Sequence, residues 1–205
     1  MTVQVLPFGE TAVLVEYPDL PAALRAYRGL ATSTPRGVVD LVPAARTVLV
    51  RFDPTMLGTR AVTRWVLDTA PVAVESAVEQ PIVVPVTYDG ADLESTAETL
   101  GLGADELVRR HTTATWTSAF IGFAPGFAYL VAHDLDLAVP RRATSRERVP
   151  AGSVALAGAF SGVYPRESPG GWQLIGRTDV DLWNTERTPP ALLAPGVRVR
   201  FEAVG

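Results

Sequence analysis

The sequence contains no cysteine and no lysine, and it has only two histidines among its 205 residues. The absence of cysteine excludes disulfides, thiolate nucleophiles and thiolate metal ligands. The absence of lysine excludes a Schiff-base amine and the lysine of a phosphate-binding P-loop. The histidines, His111 and His133, stand far apart, and His133 precedes Asp134 in a predicted exposed turn. A zinc site is therefore not expected, and we predict no metal ligands.

Long apolar runs are also missing, and none approaches the roughly 20 residues that a membrane-spanning helix needs. The first residues, Met1 to Val5, lack the basic start and apolar stretch of a signal peptide. The hydrophobic content of 47% and the charged content of 20% are typical of a folded globular protein. We therefore expect a cytoplasmic protein with no membrane partner.

Positive charge is not concentrated, because the net charge is −4 and all 18 basic residues are arginine. The nearest approach to a basic cluster contains no aromatic residue and consists of Arg141, Arg142, Arg146 and Arg148. This pattern predicts a solvated loop with local ion pairs to Glu147. Nucleic acid is therefore not an expected partner.

Residues 1–80 have the pattern of a compact α+β domain. A β-branched run over 11–17 predicts a strand, and the apolar spacing over 20–30 predicts a helix. Two further strands are predicted at 38–42 and 47–52, and Gly58-Thr59 indicates the start of a second helix. The order strand, helix, strand, strand, helix favours a ferredoxin-like arrangement.

Residues 81–205 have the pattern of a mainly-β domain, and we place the boundary near residue 80. A strand at 82–86 precedes two short helices, the first with Asp92 as its candidate N-cap. Short β-runs broken by glycine and proline follow, at 118–123, 153–157, 172–175 and 197–201. This punctuation favours a closed or nearly closed β-barrel.

His111 lies at the end of the second of these helices, beside two arginines. One interpretation is a neutral imidazole that shuttles a proton or donates to a ligand. The alternative is a histidine favoured by the dipole at the helix C-terminus.

Two glycine-containing segments could form part of a binding site. In 120–130 a Pro-Gly turn is flanked by aromatic residues, so Phe123 could wall a pocket, or the aromatic residues could belong to the core of a hairpin. In 149–154 the backbone amides near Gly152 could cradle an anion, although an ordinary loop that enters a strand is the simpler interpretation.

The segment 163–178 combines prolines and glycines with a carboxylate, a hydroxyl, an indole, an amide and two guanidinium groups. Proline and glycine fix an unusual backbone path, which lets the polar groups project at defined angles. Glu167, Gln173 and Arg177 are its candidate functional groups. Glu167 could act as a general base, but a plain ion pair with Arg166 or Arg177 is the commoner arrangement.

Three segments, 120–127, 148–154 and 167–178, resemble the hallmark motifs of the family of 5-oxoprolinase B subunits (PxpB), also called allophanate hydrolase subunit 1. The family includes the sporulation-kinase inhibitor KipI. The resemblance covers 81–205 and implies a small N-terminal α+β domain followed by a cyclophilin-like β-barrel. It implies no prolyl isomerase activity, because the arginine-rich isomerase site is not recognisable and fold does not transmit function.

The resemblance further implies a non-autonomous component of an ATP-dependent 5-oxoprolinase, which converts 5-oxo-L-proline to L-glutamate. The implied partners are the C subunit (PxpC), which is similar to allophanate hydrolase subunit 2, and the A subunit (PxpA). ATP would be a co-substrate of the complex and is not expected to bind this chain alone. The alternatives are a regulatory protein that inhibits a sensor histidine kinase, as KipI does, and an allophanate- or urea-processing subunit.

The resemblance also assigns roles to residues within the motifs. The implied catalytic residues are His111, Glu167 and Arg177. The implied substrate- or partner-binding residues, together with Phe123 as an aromatic wall, are Pro125, Gly126, Pro150, Gly152, Ser168 and Gln173. This sequence departs from the family's pattern at Phe160, where many members have glutamine, and at Ala128, where proline is common.

Overall fold

The computed structural model describes residues 3–73, 80–132, 134–135 and 137–205. The chain forms two compact units, Met1–Ala77 and Val78–Gly205. His133 lies outside the described residues, so its predicted place in an exposed turn stays a prediction. In the described ranges, no helix combines the length and the apolar character needed to cross a membrane.

The first unit contains a four-stranded antiparallel sheet in the order β1-β2-β4-β3 and two helices. The elements are β1 (Gln4–Pro7), β2 (Ala12–Glu16), α1 (Leu20–Thr32), β3 (Val38–Pro43), β4 (Thr47–Phe52) and α2 (Thr59–Asp68). Helix α1 begins where Asp19 Oδ1 accepts a hydrogen bond from the backbone N–H of Ala22, at 2.7 Å. Alternate valines of β2 and β4 form the core with residues from both helices.

The ferredoxin-like arrangement predicted for this unit is not confirmed. That arrangement would place a fourth strand after α2, whereas the described residues directly after α2, up to 73, contain none. The edge position beside β2 is instead filled by β1, which precedes β2 and which the sequence patterns did not predict.

The second unit is built on a seven-stranded mixed sheet in the order β12-β9-β10-β7-β6-β13-β5. Among the strands of the described ranges, only β13 and β5 pair in parallel. The elements are β5 (Ile82–Val86), α3 (Leu93–Thr99), α4 (Ala104–Thr113), β6 (Trp116–Ile121), β7 (Ala128–Ala132), β8 (Arg146–Val149), β9 (Ser153–Ala157), β10 (Phe160–Val163), β11 (Ser168–Gly170), β12 (Gln173–Arg177) and β13 (Arg198–Ala203). A separate ribbon pairs β8 with β11.

The two edges of the seven-stranded sheet meet at Thr87 and Arg177. The N–H of each residue donates to the carbonyl oxygen of the other, both at 2.9 Å. The bridge joins the end of β5 to β12 and makes the sheet a nearly closed barrel, as the β-runs predicted.

Strand β9 separates two apolar layers, which explains why all five of its residues are buried. Val154 and Leu156 face the main core with Trp116 and Phe201. Ala155 and Ala157 face the opposite side, where their small side chains leave room for a cluster of aromatic rings.

Candidate functional site

An aromatic cluster packs on the side of β9 that carries Ala155 and Ala157. Phe127 lies at its centre, with ring centroids 5.2 Å from Tyr164, 5.2 Å from Tyr129 and 5.3 Å from Trp172, all edge to face. Such edge-to-face pairs are the arrangement that aromatic quadrupoles favour. Phe160 joins the cluster through Tyr129, at a centroid distance of 5.6 Å.

The segment after β6 turns sharply at Phe123, whose φ is 70°. The N–H of Ala124 donates to the carbonyl of Gly122 at 2.8 Å, which closes a three-residue γ-turn with positive φ at its centre. A non-glycine residue held in such a conformation costs on the order of 1–3 kcal/mol. The Phe123 side chain is nevertheless 58% exposed. Backbone strain beneath an exposed aromatic ring is typical of a functional position.

Gly126 lets the same turn approach the segment around Trp183. Its φ is 82°, and a Cβ at this position would lie 2.9 Å from the Cβ of Trp183. Trp183 is 38% exposed and Pro125 is also exposed. Phe123 and Pro125 are thus exposed in the turn, and the exposed Trp183 lies against the same turn at Gly126.

At the predicted anion cradle, the backbone amides of Gly152 and Ser153 are both used in hydrogen bonds within the chain. The N–H of Gly152 donates to the carbonyl of Tyr164 at 2.8 Å, and the N–H of Ser153 donates to the carbonyl of Pro150 at 3.3 Å. A Cβ at Gly152 would lie 2.1 Å from the carbonyl oxygen of Thr178. Gly152 thus allows its backbone to pass close to the backbone of Thr178. The hydrogen bonds support the interpretation of this segment as an ordinary loop that enters a strand.

The arginine cluster does not pair with Glu147 as predicted, because two of its members converge on the buried carboxylate of Asp92. Oδ1 of Asp92 accepts from Arg142 at 2.7 Å and from Arg146 at 2.8 Å. Oδ2 accepts from the backbone N–H of Leu174 at 2.8 Å. Asp92 is the N-cap residue of α3 as predicted, but its side chain makes no capping hydrogen bond.

Burial by itself would raise the pKa of Asp92, but the hydrogen bonds from Arg146 and Leu174, with the charges of both arginines, hold it below its usual range. Asp92 is only 3% exposed, so this network is an internal tie between the start of α3, β12 and the chain from Arg142 to the first residue of β8. The sequence offered no signal for the tie, because the three partners of Asp92 lie 50, 54 and 82 residues further along the chain.

His111 is fully buried in the barrel core, with 0% of its surface exposed. One ring nitrogen, Nδ1, lies 2.7 Å from the Tyr88 hydroxyl, and the other, Nε2, lies 2.8 Å from the Ser161 hydroxyl. The ring stacks on Phe201 at 4.3 Å. Burial lowers the pKa of His111 to about 3, so the imidazole is neutral at pH 7 and is not a cation stabilised by the helix dipole.

Arg177 and Glu167 are exposed and belong to separate ion pairs. Arg177 Nε donates to Asp89 at 2.8 Å, beside the barrel closure, and this bond raises the pKa of the guanidinium. Glu167 lies 3.9 Å from Arg148, and both side chains are mostly exposed. The predicted pairing of Glu167 with Arg166 or Arg177 is therefore wrong, although a plain ion pair is what the structure contains.

The remaining predicted residues lie around the aromatic cluster. Gln173 donates from Nε2 to the carbonyl of Pro140 at 3.0 Å, and the buried Ser168 hydroxyl donates to the carbonyl of Arg166 at 3.1 Å. Pro150 is exposed at the end of β8.

No hydrogen bond joins any two of His111, Glu167 and Arg177 within the described ranges. His111 and Arg177 are linked only indirectly. Tyr88 hydrogen bonds to His111, and its neighbour in the chain, Asp89, hydrogen bonds to Arg177. Their catalytic roles stay predictions. Among the residues that the structure describes, no three or more histidine, aspartate or glutamate side chains are grouped so that they could hold a metal ion.

The second unit is thus a nearly closed mixed barrel whose outer aromatic layer presents an exposed, strained turn. Residues 3–193 match the family described as carboxyltransferase domain, subdomain C and D. The chain belongs to this family, which confirms the resemblance recognised in its motifs.

Two curated relatives match along nearly their whole length. A protein of Escherichia coli O157:H7, named as the B subunit of 5-oxoprolinase, is 38% identical over 206 residues, covering 94% of this chain and 92% of the relative. A protein of Haemophilus influenzae with the same name is 34% identical, with 98% of both chains covered.

A solved structure shares the fold within a longer chain. TTHA0988 has a TM-score of 0.78 and 31% sequence identity, and its alignment covers 100% of this chain but 41% of TTHA0988. This chain therefore spans about two fifths of the length of that protein.

Proposed function

We propose that this chain is the B subunit of an ATP-dependent 5-oxoprolinase, which hydrolyses the cyclic amide of 5-oxo-L-proline to give L-glutamate. The observation that carries the proposal is the pair of relatives named as B subunits of 5-oxoprolinase, which align with 94% and 98% of this chain. Alignment over nearly the whole of both proteins supports a shared role more strongly than a shared fold does.

The chain works with the companion C and A subunits and is inactive alone. The arrangement of the implied catalytic groups supports this part of the proposal. His111 is enclosed in the core, Glu167 and Arg177 are held in exposed ion pairs, and none of the three contacts another within the described ranges. A complete hydrolytic site would need groups from another chain.

ATP is a co-substrate of the complex and binds with help from another subunit. The chain has no lysine and therefore no P-loop, the usual backbone and lysine cradle for the phosphates. The B subunit then contributes surface and positioning groups to a shared site, with Arg177 as the candidate contact for an anionic group of the substrate.

Reconstitution from purified subunits tests this function. The three-subunit mixture should release phosphate from ATP only when 5-oxo-L-proline is present, and glutamate should appear with the phosphate. The B subunit alone, and the mixture that lacks it, should show no such release. Urea-dependent release, or none with either substrate while the subunits still assemble, would contradict the proposal.

A further inference from the structure

We propose that the first unit binds a small monocarboxylic acid with an apolar body, in a cavity between α1 and α2. The cavity has a volume of about 290 Å³, and all the residues that line it belong to the first unit. They include Tyr17, which follows β2, and Arg25 of α1. The site is independent of the proposed function, because none of the residues assigned to that function lines it.

Contacts between α1 and the chain after α2 hold the cavity in shape. Val72 donates its backbone N–H to the carbonyl of Arg25 at 2.9 Å. At Gly29, one turn further along α1, the two segments approach so closely that a Cβ would collide with the carbonyl oxygen of Ala70. Because these contacts are made within the chain, the cavity exists before any ligand binds.

The volume of the cavity sets the size of the ligand. Ala22 and Ala26 line it from successive turns of α1, and their short side chains leave the space open. Ligand pockets in proteins span roughly 300–1,000 Å³, so this cavity lies at the small end of that range. A water molecule occupies about 30 Å³ in the liquid, so the cavity has room for about ten non-hydrogen atoms.

The hydroxyl of Tyr17 is a polar group that needs a partner. Tyr17 lines the cavity and is 6% exposed, and its hydroxyl makes no hydrogen bond to the residues that the structure describes. Burial raises the pKa of Tyr17 to about 12, so the phenol is neutral at pH 7 and can donate a hydrogen bond. Because an unmade hydrogen bond of a buried group is unfavourable, a ligand oxygen that accepts this bond would be stabilised in the cavity.

Arg25 gives the cavity a positive charge. Among the residues that line the cavity, all of them within the described ranges, Arg25 is the only charged one. Its guanidinium forms no ion pair with a carboxylate of the described residues, whereas Arg46 of the same unit pairs with Glu16 at 3.3 Å. A guanidinium and a phenol both donate hydrogen bonds, and a carboxylate has two oxygens that accept them. The charge therefore favours an anionic ligand and disfavours a cationic one.

The rest of the lining determines the rest of the ligand. Pro18, Val66 and Leu67 add apolar side chains to those of the two alanines. The hydroxyl of Thr69 is already used, since it donates to the carbonyl of Trp65 at 2.6 Å. A sugar would lose hydrogen bonds to water that these walls do not replace. An aliphatic or aromatic body joined to one carboxylate therefore fits the cavity.

Isothermal titration calorimetry of the purified full chain with hexanoate tests the site. Hexanoate combines a flexible apolar chain with one carboxylate and is small enough for the cavity. It should bind with a Kd below about 1 mM. Hexanamide and hexylamine have the same chain without the negative charge, so they should bind at least about 10-fold more weakly.

Three substitutions locate the bound hexanoate. Tyr17→Phe removes the hydroxyl but keeps the ring in the core, and it should weaken binding about 5- to 10-fold. Arg25→Gln should weaken binding of hexanoate about 10-fold and leave binding of hexanamide nearly unchanged. Ala26→Leu fills the cavity, so it should abolish binding without a fall in the thermal midpoint. Arg64→Gln is the matched control, because Arg64 is exposed on α2 and does not line the cavity; it should bind hexanoate as the wild type does.

No measurable binding of hexanoate at about 10 mM would overturn the inference, and so would equal affinity for hexanoate and hexylamine. Wild-type affinity in both Tyr17→Phe and Arg25→Gln would place the bound hexanoate elsewhere and would also overturn it. Binding is measured on this chain alone, whereas the proposed function is measured on the reconstituted complex. A failure of one is therefore distinguishable from a failure of the other.

Discussion

Acidification from pH 7 to pH 5 should destabilise the second unit through His111. Burial lowers the pKa of His111 to about 3 in the folded chain, whereas an unfolded histidine has a pKa of about 6.5. The unfolded state therefore binds more protons below pH 6.5. The stability that depends on the neutral imidazole is complete above that pH and is lost progressively as the pH falls toward 3.

The size of the effect follows from the two pKa values. Each pH unit between them changes the free energy of unfolding by about 1.4 kcal/mol for one proton. Between pH 7 and pH 5, where roughly one and a half such units lie below 6.5, the expected loss is about 2 kcal/mol. Carboxylates with lowered pKa values, such as Asp92 and Glu106, lose their contribution mainly below about pH 4, so they add little in this window.

Urea unfolding at several pH values, followed by tryptophan fluorescence, measures the loss. Trp116, whose Nε1 donates to the carbonyl of His111 at 2.9 Å, reports on the same core. His111→Gln keeps a group that can hydrogen bond to Tyr88 and Ser161 but cannot be protonated in this range. Its stability should be lower at pH 7 and nearly independent of pH down to 5.

His133 is present in both the wild type and His111→Gln, so the difference between their pH profiles reports on His111 alone. Equal stability of the wild type at pH 7 and pH 5 would refute the reasoning. A His111→Gln variant with the full wild-type slope would refute the assignment to this side chain.

Two further substitutions test the ties around the aromatic cluster. Asp92→Asn leaves the guanidinium groups of Arg142 and Arg146 without their carboxylate. Because both arginines are partly exposed, the free energy of unfolding should fall by about 1–3 kcal/mol. A change below about 0.5 kcal/mol in urea titration would show that the pairs are not coupled to folding. Gly152→Ala places a Cβ against the carbonyl oxygen of Thr178 and forces a strained φ, so soluble yield and thermal midpoint should both fall. Gly101→Ala is the control, since Gly101 also has a positive φ but a Cβ there would meet no other atom.

Local sequence patterns predicted most of the regular structure. The helix expected over 20–30 runs to Thr32, and the strands expected at 38–42 and 47–52 are β3 and β4. These elements were predictable because apolar spacing and flanking prolines act within a few residues. Strand β1 was missed, since four mostly exposed residues have no such pattern and are held by pairing with β2.

The candidate site was predictable in part. The Pro-Gly turn was predicted, because turn chemistry is local, whereas the sequence left open whether Phe123 lines a pocket or belongs to the core of a hairpin. Trp183 was missed, since nothing near it in the sequence signals its contact with Gly126. The prediction for Asp92 was also incomplete. An N-cap pattern cannot reveal that the side chain points toward two arginines and not toward the helix.

The sequence by itself determined most of the helices and strands of this protein, the positions of its turns and its family. It could do so because glycine, proline and apolar spacing act over short stretches of chain. Only the tertiary structure decided the partners of the polar groups. His111 became an uncharged core residue between Tyr88 and Ser161, and Arg177 became part of the barrel closure with Asp89. Charge state and hydrogen bonding depend on which distant residues surround a group, and those neighbours are set when the sheet closes.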